Sequence, residues 1–178
     1  MALNVSDRNL TDEQLRTLSK NGGVIQVVAL ASFLKGNPPE RDQAIKKLQA
    51  ELGYQRLSRQ ETQALTEQQQ ADYTKLTQTY QERMKEVDAK YPPPAPANLN
   101  DFVNHIDHAV KIAGIDHVGV GTDFDGGGGI PGFNDDADAL NVTVELVRRG
   151  YSEKDIDKIW GGNLLRVWRE VEKKAEKK

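Results

Sequence analysis

Two short apolar segments constrain the fold of this chain more than any other feature of its sequence. Residues 24–30 (Val-Ile-Gln-Val-Val-Ala-Leu) and 115–121 (Ile-Asp-His-Val-Gly-Val-Gly) have the composition of buried strands. Such runs are typical of strands that are covered on both faces, as in parallel sheets. Two strands are too few for a sheet with two buried faces. Either further strands are hidden in the sequence, or the chain is part of a larger barrel or sheet.

Helical patterns flank both strands. A capping box at Thr11 begins a short helix before the first strand, and Pro38 opens another helix after it. An apolar stripe over 99–113, closed by Gly114, predicts the helix that precedes the second strand. Further helices are predicted around 140–147, 152–160 and 163–168. Helix, glycine, strand and a polar glycine-rich loop follow one another as in a β/α repeat, so the predicted fold class is α/β.

The segment between the two strands has a different composition. Residues 57–90 are rich in Gln, Glu, Thr and Lys, with apolar side chains three or four positions apart, which predicts one amphipathic helix. The sequence Tyr-Pro-Pro-Pro-Ala-Pro at 91–96 excludes a helix and indicates an extended linker. We interpret 54–97 as a helical insertion. Two roles stay open for it: a surface hairpin without chemistry, or a lid or partner-binding helix.

Composition excludes several classes of function. The chain of 178 residues has 24 basic and 27 acidic side chains, mostly dispersed, which argues against a nucleic-acid-binding surface. Cysteine is absent, which excludes disulfides and thiolate chemistry. The longest apolar run is far shorter than the roughly 20 residues of a membrane span, so no spanning segment is predicted. The compartment stays open.

Two carboxylates follow the second strand, in Thr-Asp-Phe-Asp-Gly at 122–126. Barrels of β/α repeats build their active sites at this end of their strands. Asp123 and Asp125 alternate, so one carboxylate can face the mouth while the other ties down the loop. The alternative is that both acids only cap turns. The spacing continues into neither an EF-hand nor a phosphate-binding glycine loop.

The basic side chains also allow two interpretations each. His105 and His108 lie three apart on a predicted helix, and either bind a metal or have surface and capping roles. His117 lies near the start of its strand, away from the functional end, and is interpreted as structural. Arg8 either bridges a neighbouring acid or offers its planar fork to a substrate carboxylate.

Three ordered motifs resemble one family. Residues 107–126, 148–168 (Arg-Arg-Gly-Tyr-Ser to Gly-Gly-Asn-Leu-Leu-Arg-Val-Trp) and 8–28 (Arg-Asn to Asn-Gly-Gly-Val-Ile-Gln-Val-Val) are similar to the C-terminal portion of the membrane (renal) dipeptidases. The resemblance covers the chain apart from the insertion at 54–97. It implies the C-terminal part of a (β/α)8 TIM-type barrel, with 24–30 and 115–121 as its last two strands, and one partial domain over 1–178.

The same resemblance implies a chemistry. The family consists of zinc dipeptidases with two metal ions, and their substrates are dipeptides. By motif, Arg8 would bind the dipeptide carboxylate and Asp123 would shuttle a proton during hydrolysis. The family's metal-ligand motifs precede the Arg-Asn pair, and no residue of this chain matches them. We therefore expect a chain without metal ligands that is inactive when isolated.

Two hypotheses follow from the sequence. In the first, the chain is part of a dipeptidase and carries Asp123 and Arg8 of its site. In the second, it is a noncatalytic barrel remnant that forms a homo-oligomer or binds a partner through the 57–90 helix. A molten, aggregating monomer would favour the first, because exposed barrel edges are sticky.

Overall fold

The computed structural model describes residues 3–175, which divide into two compact units. Unit 1 comprises 3–36 and 96–175, and unit 2 comprises 37–95. Helices predominate over strands in the described chain. In chain order the elements are α1 (Asp12–Lys20), β1 (Ile25–Val28), α2 (Ala31–Leu34), α3 (Pro39–Leu52), α4 (Arg59–Gln63), α5 (Glu67–Lys90), α6 (Leu99–Ala113), β2 (Val118–Gly121), α7 (Ala139–Arg148), α8 (Glu153–Asp157) and α9 (Asn163–Ala175).

Strands β1 and β2 form a parallel pair in unit 1. Ile25 is opposite Val118 and Val28 is opposite Gly121. Both strands are shorter than predicted. A 3₁₀ turn occupies the start of the second predicted strand, and Leu30, at the end of the first, already precedes α2. The described chain is therefore α-dominant with few strands, and the predicted β/α grammar is present in its helix, glycine, strand order.

The core of unit 1 lies on one face of this strand pair. Val27 and Val118 contribute to it from the strands, and Phe102 and Ile106 cover them from α6. Helix α7 adds Val142 and further buried side chains. Because side chains alternate along a strand, Gln26 and the glycines of β2 lie on the opposite face.

The ends of the helices follow the capping signals in the sequence. Thr11 forms a capping box with Gln14 at the start of α1, as predicted. Gly53 adopts a left-handed conformation with φ 63° after α3, which is favourable for a residue without Cβ. Ser152 begins α8 with a capping box of its own. A π-helical turn over Lys158–Gly162 then joins α8 to α9.

Unit 2 is a helical hairpin with one prediction corrected. The segment 57–90 forms two helices, α4 and α5, instead of one, because Ser58 and Thr66 each cap a new start. Tyr54 stacks on Tyr80, with ring centroids 4.1 Å apart. Unit 2 also includes α3, which precedes the predicted insertion. The insertion boundaries of 54–97 stay a prediction.

Candidate functional site

Asp123 occupies a strained position just after β2. Its φ of 55° and ψ of 31° lie in the left-handed region, and no other non-glycine residue between 3 and 175 has a positive φ. Left-handed backbone costs about 1–2 kcal/mol for a residue with a Cβ, although Asp and Asn adopt it more often than other side chains. Such strain clusters at functional sites, where the surrounding structure imposes it. The Asp123 side chain is exposed at the carboxyl end of the strand.

The loop after Asp123 is fixed by main-chain hydrogen bonds. The Asp123 carbonyl accepts from the amides of Gly126 (2.9 Å) and Gly128 (2.7 Å). Gly129 donates to the carbonyl of Ala29 at 2.9 Å, which ties the loop to the end of β1. A Cβ on Gly126 would collide with the Asp123 carboxylate, so this carboxylate lies directly against the loop backbone. Gly126 is required by this close approach.

The two carboxylates of the loop have no polar partner among residues 3–175. Neither Asp123 nor Asp125 forms a side-chain hydrogen bond or an ion pair there. The sequence suggested that one of the two carboxylates fixes the loop. The side chain of Asp125 does not do so through any polar contact in the described chain. The carboxylate of Asp123 is left available to a ligand.

Arg8 lies in a tight turn, and its guanidinium group has no acidic partner in the described chain. The amide of Asn9 donates to the carbonyl of Ser6 at 3.0 Å, which closes the turn. The guanidinium carbon is 5.6 Å from the centroid of the Phe33 ring. The alternative of a bridge to Asp7 or Asp12 is not realised among residues 3–175, where Asp12 pairs with His108. The Arg8 fork is thus free for an external carboxylate.

A small cavity beside β1 brings Arg8 together with several other predicted residues. Its volume is about 180 Å³, and Arg8, Gln26, His105 and His108 contribute to its lining. Asp123 does not line it. The structure therefore places both candidate residues in unit 1, but not in one cavity.

Each histidine has a partner within unit 1. His105 Nε2 is 3.0 Å from the carbonyl of Leu34, and burial lowers the pKa of this imidazole. His117 Nδ1 is 2.7 Å from the carbonyl of Gly23. His108 Nε2 is 2.8 Å from Asp12 Oδ1, a hydrogen bond that lowers the pKa of the Asp12 carboxyl.

These histidines do not combine into a metal site. Between residues 3 and 175, no group of three or more His, Cys, Asp or Glu side chains is placed to hold a metal ion. Zinc in proteins needs at least three such ligands. The donor set of the described residues therefore does not fit a zinc ion.

Side chains that the sequence did not single out surround Arg8. Asn4 is buried and donates to the carbonyls of Ser32 (3.0 Å) and Phe33 (2.8 Å). Asn9 donates to the carbonyls of Asn4 (3.1 Å) and Phe33 (2.8 Å). No periodicity reveals the contacts to Ser32 and Phe33, because they join the turn around Arg8 to α2, 24 to 29 positions further along the chain. An Asn next to a candidate Arg was the only signal.

A second polar cluster connects α6 with α7. Arg149 donates to Asp107 and to Glu145, both at 2.6 Å, and the hydroxyl of Tyr151 donates to Asp107 at 2.7 Å. The hydrogen bond from Arg148, helped by Arg149, lowers the pKa of the Glu145 carboxyl to about 2. All these donors and acceptors are satisfied within the cluster, which indicates a structural role.

Comparison with known proteins finds relatives along the whole chain. The family model "Membrane dipeptidase (Peptidase family M19)" matches residues 1–178. Dipeptidase 3 of Rattus norvegicus is 38% identical over 82 residues, which are 46% of this chain and 17% of that protein. None of the described helices is both long and apolar enough to span a membrane.

Solved structures agree with this family match. The crystal structure of the probable dipeptidase PvdM from Pseudomonas aeruginosa is 36% identical, with a TM-score of 0.69 over 97% of this chain and 43% of that chain. A metallo peptidase from Rhodobacter sphaeroides, liganded with a phosphinate mimic of L-Ala-D-Ala, is 22% identical with a TM-score of 0.56. It covers 92% of this chain and 31% of that chain, and supports similarity of fold only.

The present chain thus spans less than half the length of these relatives. The resemblance seen in the sequence is confirmed, and it makes the chain a relative of metal-dependent peptidases, for which zinc is the implied metal. Since the family model matches from residue 1 to residue 178, the chain belongs to the membrane dipeptidase family, Peptidase family M19.

Proposed function

We propose that this chain serves in the hydrolysis of dipeptides by a zinc-dependent dipeptidase. Arg8 binds the carboxylate of the dipeptide, and Asp123 transfers the proton of the attacking water to the leaving amine. One observation carries this proposal: the Asp123 carboxylate is exposed, unpaired among the described residues and held in a strained conformation at the end of a parallel strand.

The proposed setting is the C-terminal part of a (β/α)8 barrel. β1 and β2 would be its last two strands, 1–178 a single partial domain, and 54–97 an insertion within it. The parallel register and the helix α6 between the strands support this, since a parallel connection needs such a crossover. Each strand has one neighbour in the described chain, which leaves an edge for further strands.

The steps assigned to this chain are binding and proton transfer. A carboxylate that accepts a proton from water and returns it to the leaving nitrogen accelerates such reactions about 10²–10⁴-fold. The Arg8 fork can form two parallel hydrogen bonds with a carboxylate and so fixes the dipeptide in one orientation. The described residues do not fit zinc, so binding and proton transfer are the steps that they can perform. The two zinc ions of the family stay a proposal for the whole enzyme.

A hybrid enzyme tests the assignment of Asp123. Residues 1–178 are joined to the part of the PvdM chain that has no counterpart here, and hydrolysis of L-Ala-D-Ala is measured with added zinc. Asp123→Asn keeps the shape and tolerates the left-handed backbone, so kcat should fall about 10²–10⁴-fold without unfolding. Asp125→Asn is the matched control, and its kcat should change less than about threefold.

The outcomes separate the two roles. Equal activity of Asp123→Asn and Asp125→Asn would refute proton transfer by Asp123. Arg8→Gln should raise KM for the dipeptide and leave KM for its C-terminal amide unchanged, because only the dipeptide carries the carboxylate. The chain alone, with zinc, should neither hydrolyse L-Ala-D-Ala nor retain stoichiometric zinc. Hydrolysis by the chain alone, or stoichiometric zinc in it, would contradict a metal site outside the described residues.

One observation favours a second candidate function, self-association. Helix α9 exposes an apolar stripe in which Leu164 is 44% exposed, Trp168 61% and Val171 62%. Partner binding was one of the roles left open for the 57–90 segment, but the apolar side of its longer helix, α5, faces α3 and Tyr54 within unit 2. Light scattering of the chain and of Trp168→Ser tests this function. An oligomer that Trp168→Ser dissociates supports it, whereas a monomeric chain refutes it.

A further inference from the structure

Arg8 is a long side chain on an exposed turn, yet its head group has a defined place. An exposed arginine without partners normally samples many rotamers, which weakens any ligand that must first order it. Here the guanidinium lies over the face of Phe33, 5.6 Å from the ring centroid. Two features of the structure account for this placement.

The first feature is a pair of amides that joins the Arg8 turn to the segment after β1. The side chain of Asn9 donates to the carbonyl of Phe33 at 2.8 Å and to that of Asn4 at 3.1 Å. Asn4 donates to the same Phe33 carbonyl, also at 2.8 Å. The turn that carries Arg8 is thereby held on both sides against the main chain of Phe33. A Cβ at Gly36 would lie 2.6 Å from Asn4 Oδ1, so the fit on this side is close.

The second feature is the ring of Phe33 itself. A guanidinium over an aromatic face is attracted by the ring quadrupole, and its planar fork stays available at the edge. Phe33 is half-buried and lines the same cavity as Arg8, together with Asn4 and Asn9. One residue thus anchors the Arg8 turn through its carbonyl and orients the Arg8 head group through its ring.

We propose that Asn9 and Phe33 are positioning residues for Arg8, which hold its guanidinium over the Phe33 ring ready for the dipeptide carboxylate. This rests on the proposed role of Arg8. Asn9 fixes the main chain of the turn, and Phe33 orders the side chain. Preorganisation of this kind strengthens binding by reducing the entropy that is lost when the ligand arrives.

The simpler alternative is that Asn9 and Phe33 only stabilise a loop. Stability measurements alone do not distinguish a positioning role from a stabilising role, because substitution of Asn9 or Phe33 would destabilise the loop in either case. The position of the Arg8 head group does distinguish them. A proton above an aromatic face has a shifted resonance, so the Arg8 Nε–H signal in the NMR spectrum of the 178-residue chain reports the stacking directly.

The experiment compares the chain with five variants, Phe33→Tyr, Phe33→Leu, Asn9→Ala, Asp7→Asn and Arg8→Gln, with arginine side chains labelled. We expect a ring-shifted Arg8 Nε–H signal in the wild type and in Phe33→Tyr, and an unshifted one in Phe33→Leu and Asn9→Ala. Titration with L-Ala-D-Ala, and with its C-terminal amide as the control ligand, gives Kd. Phe33→Leu should raise Kd for the dipeptide about two- to fivefold, and Asn9→Ala about five- to tenfold. Asp7→Asn, next to Arg8 and exposed, should leave both readouts unchanged.

Each outcome decides a separate point. If the wild type prefers the dipeptide over its amide and Arg8→Gln keeps that preference, the proposed role of Arg8 fails. If the preference depends on Arg8 but Asn9→Ala and Phe33→Leu have wild-type Kd values, the positioning roles are refuted. If the chain binds neither ligand, the resonance decides. An Arg8 signal that is equal in the wild type and in Phe33→Leu overturns the inference.

Discussion

Unit 1 buries a continuous set of apolar side chains around a strand pair, whereas unit 2 buries one leucine and one arginine. In unit 1, Phe102 and Ile106 are fully inaccessible. In unit 2, the buried residues are Leu48 and Arg41. Arg41 donates to Asp88 at 2.8 Å and to the carbonyl of Tyr91. Hydrophobic burial is the main stabilising contribution in folding, so unit 2 depends to a greater extent on polar and aromatic contacts.

This difference in burial predicts that unit 2 unfolds before unit 1. Regions with few buried apolar contacts unfold at lower free energy than the core. The sequence also provides separate probes for the two units. Both tryptophans, Trp160 and Trp168, lie in unit 1, while four of the five tyrosines lie in unit 2: Tyr54, Tyr73, Tyr80 and Tyr91. Tryptophan fluorescence therefore follows unit 1, and tyrosine near-UV circular dichroism mainly follows unit 2.

The largest effect is expected from Phe102→Ala in unit 1. Phe102 is fully buried and packs against Phe133, with ring centroids 5.5 Å apart. Truncation leaves a cavity and should lower the free energy of unfolding by about 3–5 kcal/mol. Urea unfolding followed by tryptophan fluorescence measures this loss. A tyrosine transition that shifts by the same amount would show instead that the two units unfold as one.

Arg41→Met should destabilise unit 2 by about 1–3 kcal/mol, since the Tyr91 carbonyl loses its charged donor. The tyrosine signal should move to lower urea, and the tryptophan signal should stay. The matched control is Arg83→Met, whose exposed pair with Glu51 has an N···O distance of 3.5 Å. Such a pair contributes about 0–1 kcal/mol. If the tyrosine transition of Arg41→Met lies at the same urea concentration as in the wild type, unit 2 does not depend on this contact.

Local signals in the sequence predicted the helices well. The ends of α1, α3 and α6 follow from a capping box or a glycine, because a cap acts within one turn of the chain. The split of the 57–90 helix was missed although Ser58 and Thr66 carry the same signal. An amphipathic pattern does not register a short break between two helices of similar composition.

The candidate site was only partly accessible to sequence reasoning. Asp123 was found because it follows a strand, but its positive φ depends on the tertiary fit of the loop against Ala29. Asp12, one of the two acids near Arg8 in sequence, pairs with His108 instead, a contact between residues 96 positions apart. Pairings over such distances have no periodic signal in a single sequence.

Low pH should destabilise unit 1 in particular, because the polar cluster that connects α6 with α7 belongs to unit 1. The Glu145 carboxyl has a pKa of about 2 in the folded chain and 4.5 as its ordinary value. A lowered folded pKa adds stability that is complete above pH 4.5 and is lost as the pH falls towards about 2. Glu145→Gln should lose about 1–2 kcal/mol at pH 7.

The same variant tests the pH dependence. Between pH 5 and pH 2, the free energy of unfolding measured by tryptophan fluorescence should fall more steeply for the wild type than for Glu145→Gln. The difference in slope should correspond to the binding of about one proton on unfolding. Glu170→Gln, on the exposed surface of α9, should titrate like the wild type. If the free energy of unfolding depends on pH equally in Glu145→Gln and the wild type, Glu145 does not contribute to the acid sensitivity of unit 1.

The smallest change in stability is expected from the removal of backbone strain, which also differs between the two units. Unit 2 places a glycine, Gly53, at its one positive φ, whereas unit 1 places Asp123 at φ 55°. Asp123→Gly removes about 1–2 kcal/mol of strain, offset by about 0.4–1 kcal/mol of greater chain entropy in the unfolded state. Unit 1 should therefore be equally stable or slightly more stable. Asp125→Gly, at an ordinary φ, should instead lose about 0.5–1 kcal/mol.

This pair of variants separates stability from function at one loop. In the hybrid enzyme, Asp123→Gly should lose hydrolysis of L-Ala-D-Ala as fully as Asp123→Asn does, although its tryptophan transition moves to equal or higher urea. Asp125→Gly should keep most of the activity despite its lower stability. If the carboxylate at this strained position contributes no stability, its role is not structural, and proton transfer is the role that we propose. If Asp123→Gly is the less stable of the two variants, Asp123 has a structural role and that argument fails.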